Sequence, residues 1–143
     1  MPLISRAALS VLVMSVACQA AMASEPLRFG LCYDLTKSYG FITPQVAQAA
    51  RDYAALINSR GGLGGNPIEI TVQDHGNEPQ RGIECYERLK REGVMVFDFM
   101  STPVARAVLP RVMQDGNLMI QAFHGRADAV DGEVFKPVFP LGP

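Results

Sequence analysis

Residues 94–122 read VMVFDFMSTPVARAVLPRVMQDGNLMIQA, and this stretch decides the fold. Its first mostly apolar run, Val94 to Phe99, predicts a strand buried on both faces of a parallel sheet. Ser101-Thr102-Pro103 then predicts a helix start, because Thr is a good N-cap and Pro is favoured at the first helical position. We expect Pro110 to kink or split this helix, since it lacks an N–H. Leu118 to Ala122 is a second apolar run, so the stretch predicts a strand–helix–strand unit.

Strand and helix patterns alternate in the same way along the rest of the chain. Further strands are predicted at Leu27–Tyr33, Ile68–Gln73 and Val134–Phe139, and further helices from Thr43-Pro44 and from Pro79. Strict alternation with short connections indicates an α/β fold, a doubly wound parallel sheet with helices on both faces. In such sheets ligands bind beyond the carboxyl ends of the strands, near the point where the strand order reverses.

The N-terminus has the three parts of a secretory signal: a basic start at Arg6, a short apolar run from Ala7 to Ala17, and Ala21-Met22-Ala23 as a cleavage site. The apolar run is too short for a membrane span, which needs about 20 residues. We therefore expect residues 1–23 to be a cleaved signal peptide, Ser24 to be the mature start, and residues 24–143 to form one small domain outside the cytoplasm.

Composition excludes some classes of function. The 13 basic and 14 acidic side chains nearly balance and no basic run stands out, so nothing indicates nucleic-acid binding. Cys32 and Cys85 have no metal-like spacing, and no catalytic arrangement can be argued from residue order. We expect no metal, no cofactor and no enzymatic activity. The two cysteines could form a disulfide in an oxidising compartment, but two buried free thiols are the favoured interpretation.

Three of the predicted strand-end loops carry candidate ligand-binding residues. Ser101 and Thr102 lie at a helix N-terminus, where free N–H groups, the helix dipole and two hydroxyls would suit a carboxylate; alternatively, Thr102 only caps the helix. Tyr39 could close over a small ligand, or could belong to an ordinary solvated loop. Phe123 and His124 place an aromatic ring and a titratable group after the fourth strand.

Several segments carry a resemblance to a known family. They are LRFGLCY at 27–33, INSRGGLGGNPIEI at 57–70, DHGNEPQ at 74–80, and VMVFDFMSTP with DGNLMI in the central unit. In these segments the chain resembles the type I periplasmic solute-binding proteins of ABC importers, the branched-chain amino-acid binding family. The resemblance implies a non-enzymatic protein that binds a small ligand and delivers it to an ABC permease in the inner membrane.

The resemblance also implies roles for individual residues. Ser101 and Thr102 would hold the ligand's carboxylate, Tyr39 would contact the ligand, and Phe123, His124 and Gly125 would line the site after the fourth strand. The family tends to have small residues and Thr where this chain has Phe-His-Gly. Branched-chain specificity is therefore in doubt, and an amino acid, an aromatic acid or an amide is equally open.

The family has two lobes and more than twice this length, so residues 24–143 are expected to be its N-terminal lobe, ending near the first crossover between lobes. Two other functions stay open at this point. A receptor's ligand-sensing ectodomain can use the same fold. A receiver or flavodoxin-like domain would place Asp34, Asp98 and Lys136 beside strands, although the predicted signal peptide argues against a cytosolic phosphorelay domain.

Overall fold

The computed structural model describes residues 24–122 and 131–141. Its elements are β1 (Leu27–Tyr33), α1 (Thr43–Ser59), β2 (Ile68–Asp74), α2 (Pro79–Arg91), β3 (Val96–Asp98), α3 (Thr102–Asp115), β4 (Leu118–Ala122) and β5 (Val138–Leu141). The strands form one sheet in the order β2-β1-β3-β4-β5, and every neighbouring pair is parallel. The predicted α/β fold, a parallel sheet wound on both faces, is therefore confirmed.

The core consists of two apolar clusters on opposite faces of the sheet. The alternation of side chains along β1 sends Leu31 and Tyr33 towards α1, and Cys32 towards α2 and α3. The larger cluster centres on Phe97, Phe99 and the buried faces of α2 and α3. β3 lies between β1 and β4 in the sheet; its Phe97 belongs to the larger cluster, and its Asp98 is buried on the opposite face.

The disulfide expectation was wrong: Cys32 and Cys85 form a disulfide, with their Cα atoms 6.2 Å apart. The bond joins Cys32, the penultimate residue of β1, to Cys85 near the middle of α2. The two cysteines are 53 residues apart in the sequence. Its formation depends on how α2 packs on the sheet, a tertiary feature that the spacing of two cysteines does not encode.

Two helix starts also differ from the prediction. Ile42 is the N-cap of α1, and Thr43 is its first helical residue; the Thr43 hydroxyl donates instead to the carbonyl oxygens of Asp34 and Tyr39. Ser101, not Thr102, is the N-cap of α3, and its Oγ accepts a hydrogen bond from the Val104 N–H. In each case the N-cap lies one residue before the Thr of the Thr-Pro pair.

Pro110 lies inside α3, which continues to Asp115 without being split. The carbonyl that a residue at this position would have engaged belongs to Arg106, which is exposed. Water can satisfy that carbonyl, so a proline on this side of the helix does not end it.

The fifth strand begins at Val138, not at Val134 as predicted. The Asp131 carboxylate accepts N–H bonds from Glu133 and Val134, and its carbonyl accepts from Val134 and Phe135, so residues 131–135 form a turn. The third strand is shorter than predicted, because the Val94 N–H is bonded to the Leu89 carbonyl at the end of α2. Among the described residues, no helix is both long and apolar enough to cross a membrane.

Candidate ligand-binding site

The strand order reverses between β1 and β3, and this point defines the candidate site. The chain passes from β1 to β2 on one side, and then returns over the other face to place β3 on the opposite side of β1. The segments that follow β1, β2 and β3 all lie at the carboxyl edge of the sheet. An open parallel sheet binds ligands in the crevice at such a switch point.

The segment after β1 is organised by Asp34, whose side chain is fully buried. Its carboxylate accepts hydrogen bonds from the N–H groups of Thr36 at 3.3 Å, Lys37 at 2.7 Å and Tyr39 at 2.8 Å. This set of bonds folds residues 34–40 into a compact loop and fixes the backbone of Tyr39. Tyr39 itself is half-buried at the edge of the sheet, where the sequence had placed a ligand contact.

Asp74 ties the segments after β1 and β2 together. Its carboxylate accepts from the N–H groups of Leu35 and Gly76, from the Thr36 hydroxyl and from Arg81. Burial favours the neutral acid, but these donors outweigh it and hold the pKa of the Asp74 carboxyl below its ordinary value. The two loops therefore form one connected unit under the site.

Ser101 is buried at the N-terminus of α3, and its hydroxyl is fully engaged. Its proton is donated to Asn77 Oδ1 at 2.7 Å, while its oxygen accepts from the Val104 N–H at 3.4 Å. The sequence placed Ser101 at the ligand site but did not identify its partner. The Asn77 side chain thus joins the loop after β2 to the start of α3.

Thr102 occupies a different position from its neighbour. It is the first helical residue, is half-buried, and its hydroxyl makes no side-chain hydrogen bond within residues 24–122 and 131–141. Pro103 has no N–H, and the N–H groups of Val104 and Ala105 are both bonded to Ser101. Among the described residues, the first turn's remaining donors are therefore the hydroxyl and N–H of Thr102.

A buried pair beneath the site shapes the end of β3. Asp98 accepts a hydrogen bond from the Tyr33 hydroxyl at 2.8 Å and another from the Met100 N–H at 3.1 Å. Burial and the neighbouring carboxylate both raise the pKa of the Tyr33 hydroxyl. Met100 adopts a left-handed conformation with φ of 42°. The hydrogen bond that the Met100 N–H donates to Asp98 stabilises the turn after β3, and Ser101 follows this turn at the carboxyl edge of the sheet.

Gln121 is a residue that sequence reasoning missed. It is 4 % exposed, it lies beside Ser101 and Ala105, and its Oε1 has no hydrogen-bond partner among the residues that the structure describes. A polar residue at this position interrupts the apolar pattern of β4, and that interruption was the available signal. Buried amide oxygens are normally paired, so Gln121 is a candidate to face a polar ligand group.

The other three predicted site residues are not part of the described structure. Phe123, His124 and Gly125 lie outside the described residues, as do residues 1–23. No group of three or more metal-binding side chains occurs in the part of the chain that the structure describes.

Comparison with solved structures gives the same architecture. A fatty acid ABC transporter substrate-binding protein from Thermomonospora curvata is 32 % identical with a TM-score of 0.64, over 68 % of this chain and 25 % of that one. A solute-binding protein from Rhodopseudomonas palustris, bound to 3,4-dihydroxybenzoic acid, is 21 % identical with a TM-score of 0.67, over 80 % of this chain and 31 % of that one. A branched-chain amino acid binding protein from Streptococcus pneumoniae, bound to isoleucine, is 19 % identical with a TM-score of 0.68, over 81 % of this chain and 33 % of that one.

The chain thus spans about a quarter to a third of the length of these structures. No protein of curated function matches it. The family model described as periplasmic binding protein matches residues 26–143, which is most of the sequence and includes every strand and helix described above. The chain belongs to the periplasmic binding protein family.

Proposed function

We propose that the protein is the extracytoplasmic substrate-binding component of an ABC transporter, which binds a small carboxylate and delivers it to a permease in the inner membrane. The observation that carries this proposal is the first turn of α3, which presents the Thr102 hydroxyl and N–H at the switch point of the sheet. A helix N-terminus with available donors favours an anionic group through its partial positive charge.

The carboxylate contact is assigned to Thr102 rather than to Ser101. Ser101 already donates its proton to Asn77, so it has no hydrogen to offer a carboxylate. Its part is to hold the turn in which Thr102 is presented. Tyr39, Phe123, His124 and Gly125 complete the proposed site on the strength of the family resemblance, and Gln121 adds an amide acceptor that suits an ammonium or amide N–H.

The ligands that fit this proposal are an amino acid or an aromatic acid; a related amide is the alternative, and its binding alone would argue against the carboxylate contact. One of the compared structures is named as a fatty acid ABC transporter substrate-binding protein, and a fatty acid is a carboxylate. Isoleucine and 3,4-dihydroxybenzoate, which occupy two proteins of the same fold, are suitable probes because they share that group and differ in everything else.

The test compares Thr102→Val with wild type in the protein produced from its full reading frame. Valine keeps the shape and removes the hydroxyl, so we expect calorimetric titration with the acid that binds to show about a ten- to hundredfold loss of affinity. The melting temperature should stay nearly unchanged, because Thr102 is not the cap. Equal affinity in both proteins, or binding of sugars alone, would refute the carboxylate assignment.

Ser101→Ala is the matched variant. It removes the N-cap and leaves the Asn77 oxygen without its donor, so we expect it to lower the free energy of unfolding by about 1 kcal/mol or more. The two variants should therefore differ in stability, because only Ser101→Ala removes the N-cap of α3.

The extracytoplasmic location is supported by the Cys32–Cys85 disulfide, since such bonds persist in oxidising compartments. The proposed signal peptide, residues 1–23, would leave Ser24 as the first residue of the mature protein. N-terminal sequencing of the periplasmic fraction checks this, and a product that retains Met1 would contradict it.

A further inference from the structure

His75 is a fully buried imidazole at the end of β2, and its two ring nitrogens face different elements. Nε2 lies 2.9 Å from the Phe99 carbonyl oxygen, at the end of β3. Nδ1 lies 2.9 Å from the Asn77 backbone nitrogen, two residues further along the chain. The imidazole therefore connects the two segments that meet at the candidate site.

These two contacts define the protonation state of the ring. A backbone N–H can only donate, so Nδ1 must accept and carries no proton. The Phe99 carbonyl can only accept, so Nε2 carries the hydrogen. The arrangement requires the neutral Nε2–H form of the imidazole. If Nδ1 were protonated, its N–H would face the Asn77 N–H, and two donors cannot form a hydrogen bond.

The residue that His75 holds is conformationally demanding. Asn77 has φ of 58° and follows Gly76, which has φ of 56°. Gly76 adopts this region freely, whereas for Asn77 it is less favoured, even though Asn tolerates it better than most residues. The Gly76 N–H is held by Asp74, and the Asn77 N–H is held by His75.

The chain of contacts then reaches the start of α3. Asn77 Oδ1 accepts the Ser101 hydroxyl proton at 2.7 Å, and the Ser101 oxygen caps the Val104 N–H. Loss of the Asn77 conformation would release the Ser101 hydroxyl and with it the orientation of the first helical turn.

We propose that His75 is a positioning residue of the ligand site: its neutral imidazole fixes Asn77, Asn77 fixes Ser101, and protonation of the imidazole loosens the first turn of α3 and weakens ligand binding. This inference rests on the proposed function, because it assigns ligand binding to that turn. It makes the affinity pH-dependent without requiring His75 to touch the ligand.

The charged groups around the imidazole set the pH range. Asp34, from the segment after β1, and Asp74, at the end of His75's own strand, both favour the imidazolium, while α2 presents Arg81, which is bonded to Asp74. Burial lowers the pKa of the His75 imidazole below its ordinary value, and it outweighs the hydrogen bond to the Phe99 carbonyl, the two carboxylates and the Cys32 carbonyl, which all raise that pKa. Ligand affinity is therefore full above about pH 6.5, the ordinary value, and falls as the pH decreases further.

The first experiment measures the affinity for isoleucine and for 3,4-dihydroxybenzoate between pH 8 and pH 4.5, in the protein produced from its full reading frame. The matched variant is His75→Asn, whose side-chain oxygen can accept from the Asn77 N–H but does not titrate. We expect wild type to lose about tenfold in affinity at the acidic end relative to His75→Asn. The same pH profile in both proteins would overturn the proposal.

The second experiment does not depend on a ligand. NMR follows the titration of the His75 ring and the amide of Val104 in wild type and in Asn77→Ala. We expect the Val104 amide to shift with the His75 pKa in wild type and to lose that response in Asn77→Ala. The proposal is overturned if the chemical shift of the Val104 amide does not change with the His75 titration. It is also overturned if that shift changes equally in wild type and in Asn77→Ala. If neither probe binds but the amide response is as expected, the ligand assignment fails and the positioning chain stands.

Discussion

The carboxylate of Asp34 shows how much one residue contributes to the site. It is fully buried and its partners are three backbone N–H groups of the following six residues, rather than a basic side chain. The Asp131 carboxylate also accepts hydrogen bonds from two backbone N–H groups, but it lies in an exposed turn. The two carboxylates differ in burial, and we expect the buried one to contribute more to stability, since water replaces an exposed acceptor such as Asp131 more easily.

We expect Asp34→Ala to lower the free energy of unfolding by about 3 kcal/mol, because three backbone N–H groups lose a charged acceptor together. Asp131→Ala is the control and should cost about 1 kcal/mol or less. Urea denaturation of both variants checks the difference. Equal losses would show that the loop after β1 does not depend on the Asp34 carboxylate.

Some features of the candidate site could be predicted from the sequence, and others could not. Ser101 and Thr102 were identifiable because a Ser-Thr-Pro sequence after an apolar run marks a helix start. Which of the two residues caps the helix could not be predicted, because either hydroxyl can cap. The turn made by Asp98 and Met100 places Ser101 in the cap position. His75 and Asn77 act through tertiary contacts across the sheet, which residue order does not encode.

At the scale of elements, the alternation of strands and helices was readable because each type leaves its own period in the sequence. The errors lie where a single polar contact overrides an apolar pattern. Val134 and Phe135 look like the start of a strand, but Asp131 draws their N–H groups into a turn. The disulfide was misjudged for a related reason, since it depends on the packing of α2 against β1.

The disulfide should be the strongest single link between two elements. Closing a loop of this separation in the unfolded chain corresponds to about 4 kcal/mol on the chain-entropy model. We expect the Cys32→Ala/Cys85→Ala double variant to lose stability of that order, measured by urea denaturation followed by circular dichroism. Reductant should destabilise wild type and leave the double variant unchanged. A wild-type curve that is insensitive to reductant under unfolding conditions would contradict this.

At the scale of the whole molecule, one part of the sheet differs from the rest. α1 covers β1 and β2 on its face, while apolar side chains of β4 and β5 on that same face are exposed: Leu118 by 39 %, Phe139 by 48 % and Leu141 by 54 %. The register places Phe139 beside Ile120 and Leu141 beside Ala122, so these residues form one continuous surface. Such a surface next to an edge strand favours association.

We therefore expect the isolated polypeptide 24–143 to self-associate through the face formed by Leu118, Phe139 and Leu141. Phe139→Ser with Leu141→Ser should shift it towards monomer in sedimentation velocity, because the substitutions remove apolar area from that face without touching the clustered core. Phe41→Ser is the matched control: Phe41 is 76 % exposed but lies after β1 at the carboxyl edge, so its loss should leave the association unchanged. A wild-type polypeptide that sediments as a monomer and melts in one sharp transition would show that this face is stable in water. Association that persists in the double variant but disappears in Phe41→Ser would place the contact at the carboxyl edge of the sheet instead.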